Sequence, residues 1–122
     1  MDARQIATVQ GACRAVLGAA LTVAPEAATA GWIGKDSSRA PVTVLARGLG
    51  VRDSVMGLGV LRTLADPEAA KPWLAACVVA DAMDLGATVA VRDQIPKRGA
   101  VAVSIVAAGS ALVGLWLLSA LD

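Results

Sequence analysis

Ionisable residues are out of place in an apolar run, and the segment from Val42 to Ala65 holds a dense set of them in Arg47-Gly48-Leu49-Gly50-Val51-Arg52-Asp53. Two other apolar segments carry charges at matching depth: Arg14 midway along the first, Asp81 and Asp84 midway along the third. Guanidinium and carboxylate groups placed this way can neutralise one another, hold the oxygenated end of a ligand, or exchange protons. Asp81 and Asp84, one helical turn apart, are the candidate catalytic pair for acid–base chemistry. Arg14, Arg47, Arg52 and Asp53 are the candidate ligand-binding groups. Counted together, the six give three charges of each sign, a neutral cluster.

Spacing says how helices would present these groups. Cys77, Asp81, Asp84 and Thr88 follow at intervals of four, three and four, one polar stripe on an otherwise apolar rod. Gln10, Arg14 and Gly18 recur every four residues. Around Arg52 and Asp53, Gly50 and Gly57 share the aspartate's face, and Gly48 and Gly59 the arginine's. Glycines there let a neighbouring backbone come close, and Gly109 and Gly114 offer the same in the last segment. No G-x-G-x-x-G follows a strand, so these glycines are not a nucleotide loop.

The elements that must carry the stripes are four helices, at about Ile6 to Ala24, Val42 to Ala65, Trp73 to Val91 and Ala100 to Leu121. Pro25 ends the first, Pro41 suits the start of the second, and Pro72 stands just before the third. Asp66-Pro67-Glu68 reads as a turn with helix-start chemistry. Residues 25–41 form the one long connection, with room for a short surface helix. The last segment has no charge over 22 residues, about 33 Å as a helix and enough to cross a bilayer core. A soluble all-α bundle would have to hide that helix completely, and three partners of similar length could hardly do so.

Composition agrees. The chain is 122 residues, 57% hydrophobic and 17% charged, against about 25% charged in soluble domains. The expected fold is all-α, a single transmembrane domain built as an integral-membrane four-helix bundle. A net charge of +1 leaves no basic surplus for a nucleic acid. With no histidine and no Cys-x-x-Cys, neither a metal nor a cofactor is expected. Cys13 and Cys77 sit in apolar segments and read as small hydrophobes, with a disulfide as the minor alternative. The N-terminus also has a signal-peptide reading, with Arg4 and Arg14 as the basic part, Ala15 to Ala24 as the apolar part and Ala28-Thr29-Ala30 as the cleavage site. A genuine first helix is the preferred reading.

Lys35, Arg39, Arg92, Lys97 and Arg98 fall on one side of a four-span arrangement, Arg4 and Lys71 on the other, with Arg62 near that same boundary. The positive-inside tendency then predicts a multi-pass protein of the inner (plasma) membrane with both termini outside the cytoplasm. Trp73 and Trp116 would mark the outer interface and Trp32 the inner one.

With Arg14 and the Ala24-Pro25 that closes the first helix, the Arg47-Gly48-x-Gly50-x-Arg52-Asp53 run leading into Gly57 and Gly59, and Trp73 followed by Asp81 and Asp84, the chain resembles a family of small actinobacterial four-span membrane proteins of unknown function. It is more loosely similar to DoxX-like four-helix membrane proteins. The resemblance implies the architecture and brings no activity with it.

Three functions fit these residues. The first is a site, among membrane lipids, for a lipophilic small molecule, with acid–base chemistry such as isomerisation or cyclisation at Asp81 or Asp84. A second is proton or ion movement through Asp53 and Asp84, with a homo-oligomer as the candidate assembly. The third is a structural subunit docked through its glycine faces.

Overall fold

The computed structural model describes all 122 residues and contains helices and turns only. Five α-helices follow in order: α1 (Ala3–Val23), α2 (Pro25–Ile33), α3 (Ala40–Thr63), α4 (Pro67–Ala90) and α5 (Lys97–Ala120), with a 3-10 turn at Gly34–Ser38. The fifth helix is the difference from expectation. Pro25 both stops α1 and starts α2, because its fixed φ suits a first helical position as well as it disrupts an interior one.

The helix starts are chemical. Asp2 caps α1 in a reciprocal capping box with Gln5, and the Asp66 side chain accepts from the backbone N–H groups of Glu68 and Ala69 to begin α4. With that cap and Pro67 in the first turn, α4 begins six residues earlier than the expected start at Trp73. Pro72 is carried inside the helix. Pro41 lies in the first turn of α3, and Pro96 precedes α5.

The four long helices pack in a ring: α1 along α3, α3 against α4, α4 along α5, and α5 touching α1 more lightly. Only 28 of the 122 residues are buried, although more than half the chain is hydrophobic. Large apolar side chains therefore cover the outside, among them Val16, Leu45, Val79, Ile105 and Leu112. That surface suits lipid and would be costly in water.

By length and composition α1, α4 and α5 can cross a membrane. Helix α3 matches them in length but is not among them; Arg47, Arg52, Asp53 and Arg62 lie on it. At mid-membrane Arg and Asp cost about 2.5–3.5 kcal/mol each, against roughly 0.3–0.6 returned by each Leu or Val. What offsets those charges must come from the neighbouring helices.

The α1–α3 contact is made by glycine. Gly11 and Gly18 on α1 and Gly50 and Gly57 on α3 are each seven residues apart, so antiparallel packing pairs Gly11 with Gly57 and Gly18 with Gly50. A Cβ at Gly18 would lie 2.5 Å from the Gly50 carbonyl oxygen, and one at Gly57 would lie 2.5 Å from that of Gly11. Arg14 and Asp53 sit midway between the two glycine pairs. Close backbone approach thus sets the depth at which these charges meet.

Gly59 packs under the Trp73 indole and Gly114 against Val78, whereas Gly48 and Gly109 face open space. The latter two are not the close-approach points they were expected to be. Helix α2 lies over one end of the ring: the backbone of Gly31 and Trp32 rests on Gly99 of α5, and Pro96 abuts Gly34, whose φ of 74° requires glycine. The long connection and the α4–α5 loop therefore meet at the same end of the molecule.

Candidate functional site

Arg14, Asp53, Asp81, Arg52 and Asp84 form one chain of alternating charge inside the ring. Arg14 donates through Nη1 to Asp53 Oδ1 at 3.1 Å and through Nη2 to Asp81 Oδ1. Asp53 Oδ1 also accepts from Arg52, at 3.2 Å from Nε and 3.1 Å from Nη2. Arg52 completes the series with two bonds to Asp84, Nη2 to Oδ2 at 2.8 Å and Nη1 to Oδ1 at 3.3 Å. The series leaves α4 at Asp81, passes through α1 and α3, and returns to α4 one turn later. Three helices are tied by it; α5 contributes no charge.

Burial grades along the chain. The side chains of Arg14, Asp53 and Asp81 are all less than a tenth exposed, whereas Arg52 is 33% and Asp84 23% exposed. The Cys77, Asp81, Asp84, Thr88 stripe does face inward, with Cys77, Asp81 and Thr88 buried.

Arg47 is not part of the cluster. It is exposed and lines a shallow depression with Glu26, Ser37 and Thr43. The reason is azimuth: five residues before Arg52 on a helix of 3.6 residues per turn, it points about 140° away. Without it the cluster has two arginines against three aspartates, so its formal charge is −1 and not the expected zero.

Beside the cluster lies a cavity of about 320 Å³. Its apolar wall comes from Leu17 and Leu21 of α1 and from Val103, Val106 and Ala107 of α5, and Ala28 and Trp32 of α2 also line it. Trp32, expected at a membrane interface, is thus a helical wall residue of the cavity. Arg14, Asp53, Asp81 and Asp84 supply the polar side, and Gln10 and Ser110 face each other across α1 and α5. Gln10 Nε2 donates to both the carbonyl oxygen and Oγ of Ser110 at 2.9 Å, which fixes the orientation of the amide.

Four buried polar atoms lack a partner, Gln10 Oε1, Arg14 Nε, Asp81 Oδ2 and Thr88 Oγ1, and the first three belong to residues lining this cavity. Buried polar atoms are paired in the great majority of cases, so three orphans around one space are notable. Asp84, in contrast, spends both oxygens on Arg52.

Cys13 and Cys77 are free thiols, the first exposed and the second buried. No group of residues here could hold a metal ion.

The spacing of Gln10, Arg14 and Gly18 did not point to the Gln10–Ser110 bond. A signal was available: an amide halfway along an apolar helix needs a partner, and Ser110 is one of only two polar groups offered by the central part of the last helix. Compared with protein-family models, with curated proteins and with solved structures, the chain finds no match.

Proposed function

We propose that this is a four-span protein of the plasma membrane, with both termini outside the cytoplasm, that binds a lipophilic small molecule in the cavity beside Asp81. In this arrangement α3 is the fourth span, held in lipid by the ion pairs that Arg14 and Asp84 make to it.

One observation carries the binding role: a mostly apolar cavity of about 320 Å³ lined by three residues with unpartnered buried polar atoms. Its volume lies at the lower end of small-molecule sites, which span about 300–1,000 Å³. If the bound molecule reacts, Asp81 is the group to exchange a proton with it, because Asp81 Oδ2 is uncommitted and Asp84 is held on both oxygens.

The test is mass spectrometry of lipophilic molecules that co-purify with wild-type protein in mild detergent, compared with Ala107→Phe, in which the new ring fills the cavity from α5. The expected result is a compound enriched in the wild type and depleted in the variant. Identical extracts from the two folded proteins would overturn the proposal.

A further inference from the structure

The site's own bonding pattern says which end of a molecule it prefers. Arginines within a membrane suggest, on sequence alone, capture of a carboxylate or phosphate. Here all but one of their nitrogens already face aspartates. Arg52 uses Nε, Nη1 and Nη2 on Asp53 and Asp84, and Arg14 uses both terminal nitrogens on Asp53 and Asp81. Arg14 Nε is the one guanidinium nitrogen with no partner, and the N–H groups still free on the other nitrogens lie beside carboxylates. Of the charged residues lining the cavity three are aspartates, Asp53, Asp81 and Asp84, against the single Arg14, so an anion there would be repelled.

Two of the unpartnered atoms are acceptors. Asp81 is 6% exposed, and its Oδ2 has no partner; Gln10 Oε1 is likewise buried and unpaired. The Gln10 amide cannot be turned to offer a donor instead, because Nε2 must face the Ser110 carbonyl oxygen. The formal charge of the cluster points the same way. At −1 in an apolar surround, it would be brought to −2 by an anion and to zero by a cation.

We infer that the cavity takes an apolar molecule with a cationic, hydrogen-bond-donating head, an amine, seated between Asp81 Oδ2 and Gln10 Oε1 with its apolar part against Leu17, Val103, Val106 and Ala107. This rests on the binding role proposed above and adds the chemical class of the ligand. The ammonium donates to both orphaned acceptors and balances the surplus aspartate. Trp32, on α2, lines the same space.

The experiment uses the full chain in lipid nanodiscs and four probes with one tail: octylamine, octan-1-ol, octanoate and octane. Affinity is read by displacement of a radiolabelled probe from protein-loaded against empty discs, which separates site binding from partition into lipid. Octylamine is expected to bind at least tenfold more tightly than octanoate, with octanol between them. Asp81→Asn keeps the oxygen that Arg14 uses and removes the charge, so it should erase most of the amine's advantage over the alcohol. Gln10→Leu should weaken amine and alcohol alike.

Any ranking that fails to put the amine above the carboxylate, or an undiminished amine preference in Asp81→Asn, overturns the head-group assignment and leaves the cavity's binding role standing. Equal binding of every probe to wild type and Ala107→Phe, or none to either, overturns the binding role itself. The two failures are therefore distinguishable.

Discussion

Helix α1 has two unlike sides. Towards α3 it presents Gly11 and Gly18, and the backbones meet so closely that a single added carbon would collide at Gly18 and press on the Gly57 carbonyl oxygen at Gly11. Towards α5 it presents Gln10 and Leu17 and encloses a cavity, crossing the gap by the bonds from Gln10 to Ser110. One helix in one fold is thus packed to contact on one flank and held apart on the other. The chain is able to close such gaps, as α1 and α3 demonstrate, so the open flank is a property of the residues placed there. Small residues run along the closed side; branched apolar ones and an amide hold the open side apart.

The comparison breaks most severely at the residue serving both sides. Arg14→Met leaves Asp53 without one of its two cations and Asp81 with none, and removing one partner of a buried ion pair costs about 3–5 kcal/mol. Denaturant titration in mixed micelles, followed by circular dichroism, should register that loss; an unchanged midpoint would mean that the ion chain does not hold the helices together.

On the closed side, Gly18→Leu must push α1 from α3, since Gly50 O, Ser54 N and Ser54 Oγ all lie 2.5 Å from the first added carbon. About 3 kcal/mol is expected, the upper end of overpacking. The open side should respond with the opposite sign: Ala107→Phe fills existing space and should raise stability by about 0.5–2 kcal/mol in ligand-free protein. A loss similar to that of Gly18→Leu would show the two flanks to be equally tight.

The smallest effect sharpens the contrast. Gly48 faces open space on α3, so Gly48→Leu meets no clash and should raise stability by about 0.5–1 kcal/mol through the better helix propensity of leucine. Measured beside Gly18→Leu in the same micelles, it separates glycine as a contact from glycine as mere composition.

Much of this geometry was legible in the sequence because the physics is one-dimensional. A charge within an apolar helix must face a partner, so Cys77, Asp81, Asp84 and Thr88 pointed inward on spacing alone. Depth along each helix matched Arg14 to the aspartates for the same reason. Azimuth between helices was not legible. Arg47 stood at a plausible depth and was grouped with the others, yet it points away, and the neutral count failed with it.

Likewise Gly48, Gly50, Gly57 and Gly109 look alike as letters; only the neighbours chosen by the fold decide which touch a backbone. The role of α2 was hidden for a further reason. A proline between two helical stretches reads as an ending, and nothing local says that the next turn folds back over the ring to line the cavity with Ala28 and Trp32.

That the ion chain departs from α4 and returns to it also bears on synthesis. In the four-span arrangement proposed above, a ribosome that has released residues up to Thr63 would deliver Arg52 to the membrane before Asp84, its second carboxylate, exists. The first half can bond Arg14 and Arg52 to Asp53, but the insertion machinery has to shelter both arginines' spare donors until α4 emerges. The last helix supplies no charge to the account. The ion chain of such a protein is accordingly complete only when α4 arrives.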